Sequence, residues 1–322
     1  MSAFVEISPE TYSPSAFANF KATVTDLNLG NALAMMWMSQ LAYETGRQAT
    51  IDAVAPQWGF SSVSPFVKRK TAVHGSFDTT GLLGERNDAI VLVFAGTDVG
   101  VWQTVATDGE VFRSPDTDTH VGFQTALNAA QDTIRQASDK SKQTGKPLWI
   151  AGHSLGAALA ALAAQFAVSL GHAANAVYLF GMPRAGGARF QAAYNGNAKL
   201  GPLSYRFVHG HDVVARVPPS ANGYRHIGRV LQCENGDKFD PTTPLSAIDS
   251  DEPSAPGDLQ ALQSEVLGLL DKAGDPKAIL KNLQGLFPLS PPGPGLFGPL
   301  FVFLPQPVRD HLQDSYWNAL TP

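Results

Sequence analysis

The chain contains 322 residues, of which 44% are hydrophobic and 16% are charged. These values are typical of a soluble globular protein with one large domain or two small ones. Its 23 basic and 28 acidic residues give a formal net charge of −5, and no long run of one charge sign occurs. The composition therefore gives no support for a nucleic-acid partner, an anionic membrane surface or a charged ligand, and it implies no protein partner.

Cysteine content and the first residues bear on the cellular compartment. A lone cysteine, Cys233, excludes an intrachain disulfide and is typical of a reducing compartment. Residues 1–6 lack the basic start and the apolar stretch of a signal peptide, and no run reaches the ~18 apolar residues of a membrane span. We therefore expect a cytoplasmic protein, with secretion by another route or a truncated sequence as the alternatives.

The first third of the chain predicts two helices followed by two strands. Apolar residues at three- and four-residue spacing predict a helix over Asn31–Glu44, and a second helix is predicted over Arg47–Phe60. Strand patterns cover Lys70–Phe77 and Ala89–Ala95. The stretch between them, Asp78–Asp88, is rich in turn-forming residues and predicts a turn.

From residue 120 onward, helix and strand patterns alternate. Helices are predicted at His120–Lys142 and Ala188–Tyr194, and strands at Ala176–Gly181, Leu203–His209 and Tyr224–Gln232. Strands that alternate with helices build a mostly parallel sheet with helices on both faces. The sequence therefore predicts an α/β fold.

The most informative motif is the pentapeptide GHSLG at residues 152–156. An apolar strand pattern begins at Leu148, and an Ala- and Leu-rich helix pattern, Ala157–Leu170, follows the motif directly. In a sharp strand–turn–helix connection the serine hydroxyl stands above the sheet, and the flanking glycines leave room for neighbouring backbone. The helix dipole also points its positive end at this serine. We therefore predict that Ser154 is a nucleophile.

An activated serine needs a base and a carboxylate that orients the base. In one known arrangement of such triads, the residues follow one another along the chain in the order serine, carboxylate, histidine. Asp212 fits the position of the carboxylate, because it follows the strand pattern that ends at His209. Only His226 and His311 come after Asp212. Because His226 lies at the beginning of a strand pattern, we expect a structural role for it, and we predict that His311 is the base.

Negative charge that develops on the substrate needs two or more preorganised donors. The N–H of Leu155, directly after the serine, is one candidate. Thr97 follows the Ala89–Ala95 strand and is the second candidate through its N–H, with its hydroxyl as a further donor. The alternative is that Gly96 and Thr97 form only a turn.

Six stretches carry a resemblance to a known family. They are VFAGT at 93–97, HVGF at 120–123, GHSLG at 152–156, FGMPRAG at 180–186, YRFVHGHDVVARVP at 205–218, and DH at 310–311 with Tyr316. In this order they resemble the landmarks of the class-three lipases, the family of the fungal triacylglycerol lipases. The resemblance implies an α/β-hydrolase fold, ester hydrolysis, a triad of Ser154, Asp212 and His311, and an oxyanion donor at Thr97.

A proline-rich region, Cys233–Pro307, is longer than its counterpart in the secreted fungal enzymes. We expect it to be an insertion or a small cap within a single domain that covers residues 1–322. Helices are predicted in it around Asp258–Leu270 and Pro276–Leu286.

Two apolar segments are candidates for substrate contact. The resemblance implies a lid over residues 98–112 that carries Trp102. We expect Phe301 and Phe303, in the apolar run Leu296–Leu304, to line an acyl pocket beneath this lid. Ordinary core packing of the run is the alternative.

Together these residues predict a serine carboxylic-ester hydrolase that needs no metal or organic cofactor. A lipase acting on acylglycerols is the first choice, with a small-molecule ester or lipid substrate and a possible lipid–water interface. The alternatives are an esterase for short-chain or aryl esters, a phospholipase, and, from another class, a lipid-binding pseudoenzyme. A p-nitrophenyl ester assay with fluorophosphonate labelling of Ser154 separates an enzyme from a binder.

Overall fold

A twisted central sheet runs through the residues that the computed structural model describes, which are 7–72, 75–96, 113–243, 245 and 306–322. Its strands and a small separate pair are, in chain order, β1 (Phe60–Ala72), β2 (Gly75–Arg86), β3 (Ile90–Phe94), β4 (Leu148–His153), β5 (Ala176–Phe180), β6 (Gly186–Gly187), β7 (Ser204–His209), β8 (Tyr224–Arg225) and β9 (Arg229–Cys233). Within the described ranges, seven strands form the main sheet in the order β1-β2-β3-β4-β5-β7-β9, and β6 pairs with β8. From β3 to β9 the strands of the main sheet are parallel, whereas β1 and β2 are antiparallel to their neighbours.

Helices cover both faces of this sheet. They are α1 (Leu29–Leu41), α2 (Gln48–Val54), α3 (Val121–Thr144), α4 (Leu155–Ser169), α5 (Ala188–Asn195), α6 (Gln306–Arg309) and α7 (Gln313–Leu320). The longest helix, α3, is capped at its start by His120, whose side chain accepts a hydrogen bond from the Gly122 N–H. At its end it is capped by Gly145, which has a left-handed conformation. None of the helices in the described ranges combines the length and the apolar character that crossing a bilayer requires.

Side chains of the central strands point alternately to the two faces, and each face has its own core. In β4, Trp149 and Ala151 pack with α1 and α7, while Leu148 and Ile150 pack with α3 and α4. Every residue of β3, β4 and β5 is buried, as expected for parallel strands covered on both sides. The carboxyl ends of these strands and of β7 therefore meet at one edge of the sheet, where an α/β fold places its ligand site.

The predicted turn over Asp78–Asp88 is wrong, because most of it belongs to a long antiparallel hairpin of β1 and β2. The pairing runs from Ala72 and Gly75 back to Phe60 and Arg86. Gly81 suggested a turn, but close packing explains why a glycine is needed there. A Cβ atom at this position would overlap the Val93 carbonyl and the ring of a phenylalanine on β1. The partly exposed polar residues Asp78, Thr80 and Glu85 of β2 imitate the composition of a turn.

Two other boundaries differ from the prediction. The single strand expected over Tyr224–Gln232 is two strands, β8 and β9, separated by a bend at Gly228, which has a φ of +72°. The sequence also predicts a closing helix over His311–Leu320; in the structure this helix, α7, begins only at Gln313, and His311 lies in the turn between α6 and α7. Most of the expected insertion, including its two predicted helices, lies outside the described residues.

The helices predicted near α1, α2, α3, α4 and α5 are confirmed, with shifts of a few residues at their ends. The strands predicted over Ala89–Ala95, Ala176–Gly181 and Leu203–His209 are confirmed as β3, β5 and β7. The single strand predicted over Lys70–Phe77 is wrong, because this range contains the end of β1 and the start of β2. The α/β architecture with a mostly parallel sheet is also confirmed.

We predict that Glu85 stabilises the fold in a pH-dependent manner. Its carboxylate bridges β2 to the end of α3, with its oxygens 2.5 Å from Lys140 Nζ and 2.8 Å from Lys146 Nζ. These hydrogen bonds lower the pKa of Glu85 from 4.5 to about 2. Because the folded-state pKa is depressed, the stabilisation is complete above the unfolded-state pKa and is lost as the pH falls toward about 2.

Glu85→Gln is therefore expected to lower the free energy of unfolding by about 1–2 kcal/mol at neutral pH, after allowance for solvent screening. Urea unfolding from pH 7 to pH 3 measures the difference from wild type, which should shrink as the pH falls. Exposed Glu234 provides the control substitution to glutamine. A deficit that stays constant over this range would contradict the ion-pair explanation.

Candidate active site

Ser154 lies on the sharp connection between β4 and α4. Its φ of +62° is unusual for a residue with a side chain, and only 4% of its surface is exposed. Its N–H donates a 2.9 Å hydrogen bond to the Phe180 carbonyl. A Cβ atom at Gly152 would overlap the backbone of Gly156, so the flanking glycines permit this close turn. The strained geometry is that of a nucleophile elbow.

Asp212 is fully buried in the loop after β7. One carboxylate oxygen, Oδ1, accepts from the Val214 N–H at 2.8 Å. The other, Oδ2, accepts from His311 Nδ1 at 2.9 Å and from the Tyr316 hydroxyl at 2.5 Å. Burial raises the pKa of Asp212, but the charge and hydrogen bond of His311 and the hydrogen bond of Tyr316 outweigh it and hold the pKa below its ordinary value. The carboxylate therefore stays ionised near neutral pH.

His311 lies in the turn between α6 and α7, and its side chain is 14% exposed. An ionised carboxylate only accepts hydrogen bonds, so the Nδ1 of His311 carries the proton donated to Asp212. In the neutral ring, Nε2 is then free of a proton and can accept one. Its ring stacks on that of His153, the residue before the elbow serine, with centroids 4.7 Å apart. The structure thus brings together the carboxylate and the histidine that the sequence predicts.

His226 lies apart from this Asp–His pair. It is buried, and its Nε2 is 2.7 Å from the Ala215 carbonyl oxygen. The Ala215 N–H in turn points at Asp212 Oδ1, at 3.4 Å. Its contacts are those of a residue that supports the Asp212 loop, which is the structural role expected for it.

Sequence reasoning missed a polar chain formed by His153 and Tyr43. Burial, followed by the charge of His311, lowers the pKa of His153 to about 3, so the ring is neutral. Its Nε2 donates to the His311 carbonyl oxygen at 2.8 Å, which leaves Nδ1 to accept from the Tyr43 hydroxyl at 2.9 Å. His153 was set aside because it precedes Asp212, and no local pattern marks Tyr43 as its partner.

Gly181 and Tyr316 were noted only as landmarks of the family resemblance. In the structure, Tyr316 is fully buried and donates to Asp212. Gly181 follows β5 with a φ of +55°, and a Cβ atom there would lie 2.6 Å from Asp212 Oδ2 and 2.9 Å from His311 Nδ1. The Asp–His pair therefore packs directly on the Gly181 backbone.

Of the remaining predicted site residues, Leu155 begins α4 and is 5% exposed. Gly96 passes close to the elbow, since a Cβ atom on it would lie 3.0 Å from the Ser154 Cβ. Thr97, Trp102, Phe301 and Phe303 all lie outside the described residues.

The sheet, the elbow and the buried Asp–His pair define an α/β-hydrolase fold. A sequence profile of the family Lipase (class 3) matches residues 91–222, the segment that contains Ser154 and Asp212. The match covers 132 of the 322 residues and agrees with the resemblance to the class 3 lipases that the motifs carry.

Comparisons with individual proteins agree with this family. The chain is 37% identical over 108 residues to a secreted mono- and diacylglycerol lipase of Malassezia globosa, covering 33% of this chain and 35% of that protein. It is 32% identical over 129 residues to a phospholipase A1-II of Oryza sativa, covering 39% and 32%. The chain thus spans about a third of the length of these curated relatives.

A solved structure described by the words "a serine protease triad forms the catalytic centre of a triacylglycerol lipase" superimposes on this chain with a TM-score of 0.54 at 22% identity. The superposition covers 71% of this chain and 89% of that one. At this identity the likeness supports the fold, and it confirms the α/β-hydrolase architecture.

The expected cytoplasmic location is wrong. The Malassezia globosa relative is named as a secreted lipase, and so are relatives from Fusarium solani and Penicillium cyclopium. The expectation depended on the single cysteine and on the first residues, and neither feature determines where a protein of this family works.

We predict that Gly181→Ala impairs the reaction of Ser154 with a fluorophosphonate. The added methyl group would displace the Asp212–His311 pair, and a misplacement on the order of 1 Å can cost about 100-fold in rate. Labelling rates measured by intact-protein mass spectrometry provide the test.

Gly171→Ala is the matched control, because Gly171 also has a positive φ, +74°, but nothing lies within 4 Å of an added Cβ atom. Both variants should lose about 1–2 kcal/mol of stability from the left-handed conformation. Only Gly181→Ala should label slowly. Equal labelling rates for the two variants would show that the pair tolerates a side chain at residue 181.

Proposed function

We propose that this chain is a serine carboxylic-ester hydrolase that acts as a lipase on acylglycerols. The observation that carries the proposal is the 2.9 Å hydrogen bond between His311 Nδ1 and the buried Asp212 carboxylate. The His311 ring also stacks on that of His153, the residue directly before Ser154 on its strained elbow. A buried ionised carboxylate bonded to a histidine is expensive to maintain, and a triad gives it a use.

In the first step, the Ser154 hydroxyl attacks the ester carbonyl while His311 Nε2 removes its proton. The same nitrogen returns the proton to the alcohol as the carbon–oxygen bond breaks, which leaves an acyl-serine. A water molecule, deprotonated by His311, then attacks the acyl carbonyl; as the bond to Ser154 breaks, His311 returns the proton to the Ser154 oxygen and the fatty acid leaves. Asp212 stays ionised throughout, because it stabilises the imidazolium that forms in both steps.

The oxyanion of each tetrahedral intermediate needs donors that are already in place. We assign this role to the N–H groups of Leu155 and Thr97. Leu155 is the first residue of α4, so the positive end of the helix dipole adds to its effect.

Support for an acylglycerol substrate comes from the Malassezia globosa relative, which is named as a mono- and diacylglycerol lipase. The rice relative, named as a phospholipase A1, favours phospholipids as the second candidate. In either case, we assign Trp102 to a cover over the site, and Phe301 and Phe303 to the wall of an acyl pocket. Turnover of mono-, di- and triacylglycerols compared with phosphatidylcholine separates the two candidates.

We predict that Ser154→Ala abolishes turnover without unfolding the protein. The substitution removes one oxygen atom from the nucleophile, and the remaining rate comes only from the oxyanion donors and substrate binding, roughly 10⁶-fold below wild type. Hydrolysis of p-nitrophenyl esters and a thermal melt measure the two properties. Near-native activity in a folded variant would end the serine-hydrolase proposal.

We predict that His311→Ala loses as much activity as Ser154→Ala and that the double variant is little worse, because triad residues act as a unit. His226→Ala is the matched control, because it also removes a histidine that follows Asp212 in the chain. This variant should retain most of the wild-type kcat. The opposite pattern, with folded His226→Ala inactive and His311→Ala active, would reverse the assignment of the base.

A further inference from the structure

A second carboxylate, Asp310, lies directly before His311 and is fully buried. Its Oδ2 accepts a 2.8 Å hydrogen bond from the His211 N–H, and its Oδ1 accepts one of 2.7 Å from Gln306 Nε2. His209 Nδ1 lies 3.4 Å from the same Oδ1, within ion-pair distance. The triad chemistry described above gives Asp310 no task, although a buried carboxylate is costly to maintain.

The contacts of Asp310 run opposite to those of the triad pair. Asp212 reaches from the loop after β7 to His311, while Asp310 reaches from the turn of His311 back to the loop after β7. Two crossed links therefore join the same two segments. Two hydrogen-bonding contacts between short segments restrict rotation of one segment against the other far more than a single contact does.

Close packing makes this link short. Gly210, between His209 and His211, has a φ of +51°, and a Cβ atom there would lie 2.7 Å from the Asp310 Cγ. The carboxyl group thus rests on the backbone of the loop, and β7 holds that loop in the sheet. Burial raises the pKa of Asp310, but the nearby His209 ring and the hydrogen bonds from the His211 N–H and from Gln306 outweigh it, so the group keeps its charge near neutral pH.

We propose that Asp310 and His209 are positioning residues that hold the backbone of His311, so that its imidazole stays aligned between Asp212 and Ser154. This inference rests on the proposed ester hydrolase function. Asp310 acts through the backbone of its neighbour and does not touch the reacting atoms. Its carboxylate faces His209 and the His211 N–H, whereas Asp212 alone receives the His311 Nδ1 proton.

The test is Asp310→Asn, which keeps the shape of the side chain and puts an amide NH₂ against groups that donate hydrogen bonds. Misalignment of the base should lower kcat about 10- to 100-fold, while KM for a p-nitrophenyl ester stays within about threefold because the substrate pocket is untouched. The rate of fluorophosphonate labelling of Ser154 should fall in parallel with kcat.

Asp314→Asn is the matched control. Asp314 lies on α7 a few residues further on, and its side chain bonds to the adjacent Ser315 N–H at 3.0 Å. The substitution removes a carboxylate charge from the same segment, also near His209, without removing a hydrogen bond to the loop after β7, so kcat should stay within about twofold of wild type. An equal loss in Asp314→Asn would show that charge, and not the link to the loop, is what matters.

His209→Gln is the second variant, because it leaves the bonds of Asp310 to the His211 N–H and Gln306 in place. It should reproduce part of the loss in kcat, and adding it to Asp310→Asn should cause little further loss. The proposal is overturned if folded Asp310→Asn has native kcat with only a lower melting temperature. It is also overturned if Asp310→Asn fails to fold and His209→Gln has native kcat. Failure of the proposed function looks different: the wild-type protein itself would hydrolyse no ester and Ser154 would remain unlabelled.

Discussion

The hydrogen bond between Asp212 and His311 joins residues that are 99 positions apart, and much of the fold around it serves to keep its two ends fixed. On one side, parallel β7, which lies between β5 and β9 in the sheet, carries the Asp212 loop. On the other, the segment that carries His311 is held by α7, where Trp317 stacks on Trp37 of α1 with ring centroids 4.5 Å apart. Tyr316, from the same helix, closes the arrangement by donating to Asp212.

The parts of the site that could be predicted are those with a local signature. Ser154 lies between two glycines, after an apolar strand and before an apolar helix, so a few neighbouring residues determine its geometry. Asp212 and His311 required only chain order and the rule that strand ends meet at one edge of a parallel sheet. Local signatures failed for the β1–β2 hairpin, where turn-forming residues predicted a turn. Gly81 in that stretch makes room for an aromatic ring on the adjacent strand and is not part of a turn.

The parts that could not be predicted are contacts between distant segments. Nothing in the spacing of Tyr43 and His153 along the sequence indicates that the Tyr43 hydroxyl contacts the His153 ring. Asp310 and His209 likewise resemble ordinary loop residues until the two loops are placed together. The contacts of these four residues depend on how α1 and α7 pack on the sheet, and local sequence periodicity does not predict such packing.

The position of His311 on the segment with α7 has a consequence for folding. Ser154 and Asp212 both follow strands of the contiguous parallel sheet, whereas we expect His311 to reach Asp212 only after α7 has docked on α1 through contacts between remote parts of the chain. Such long-range docking is slow compared with local structure formation, because the loop entropy must be lost first. A partly folded chain would therefore lack the Asp212–His311 hydrogen bond, and the proposed ester hydrolysis would arise together with the docking of α7.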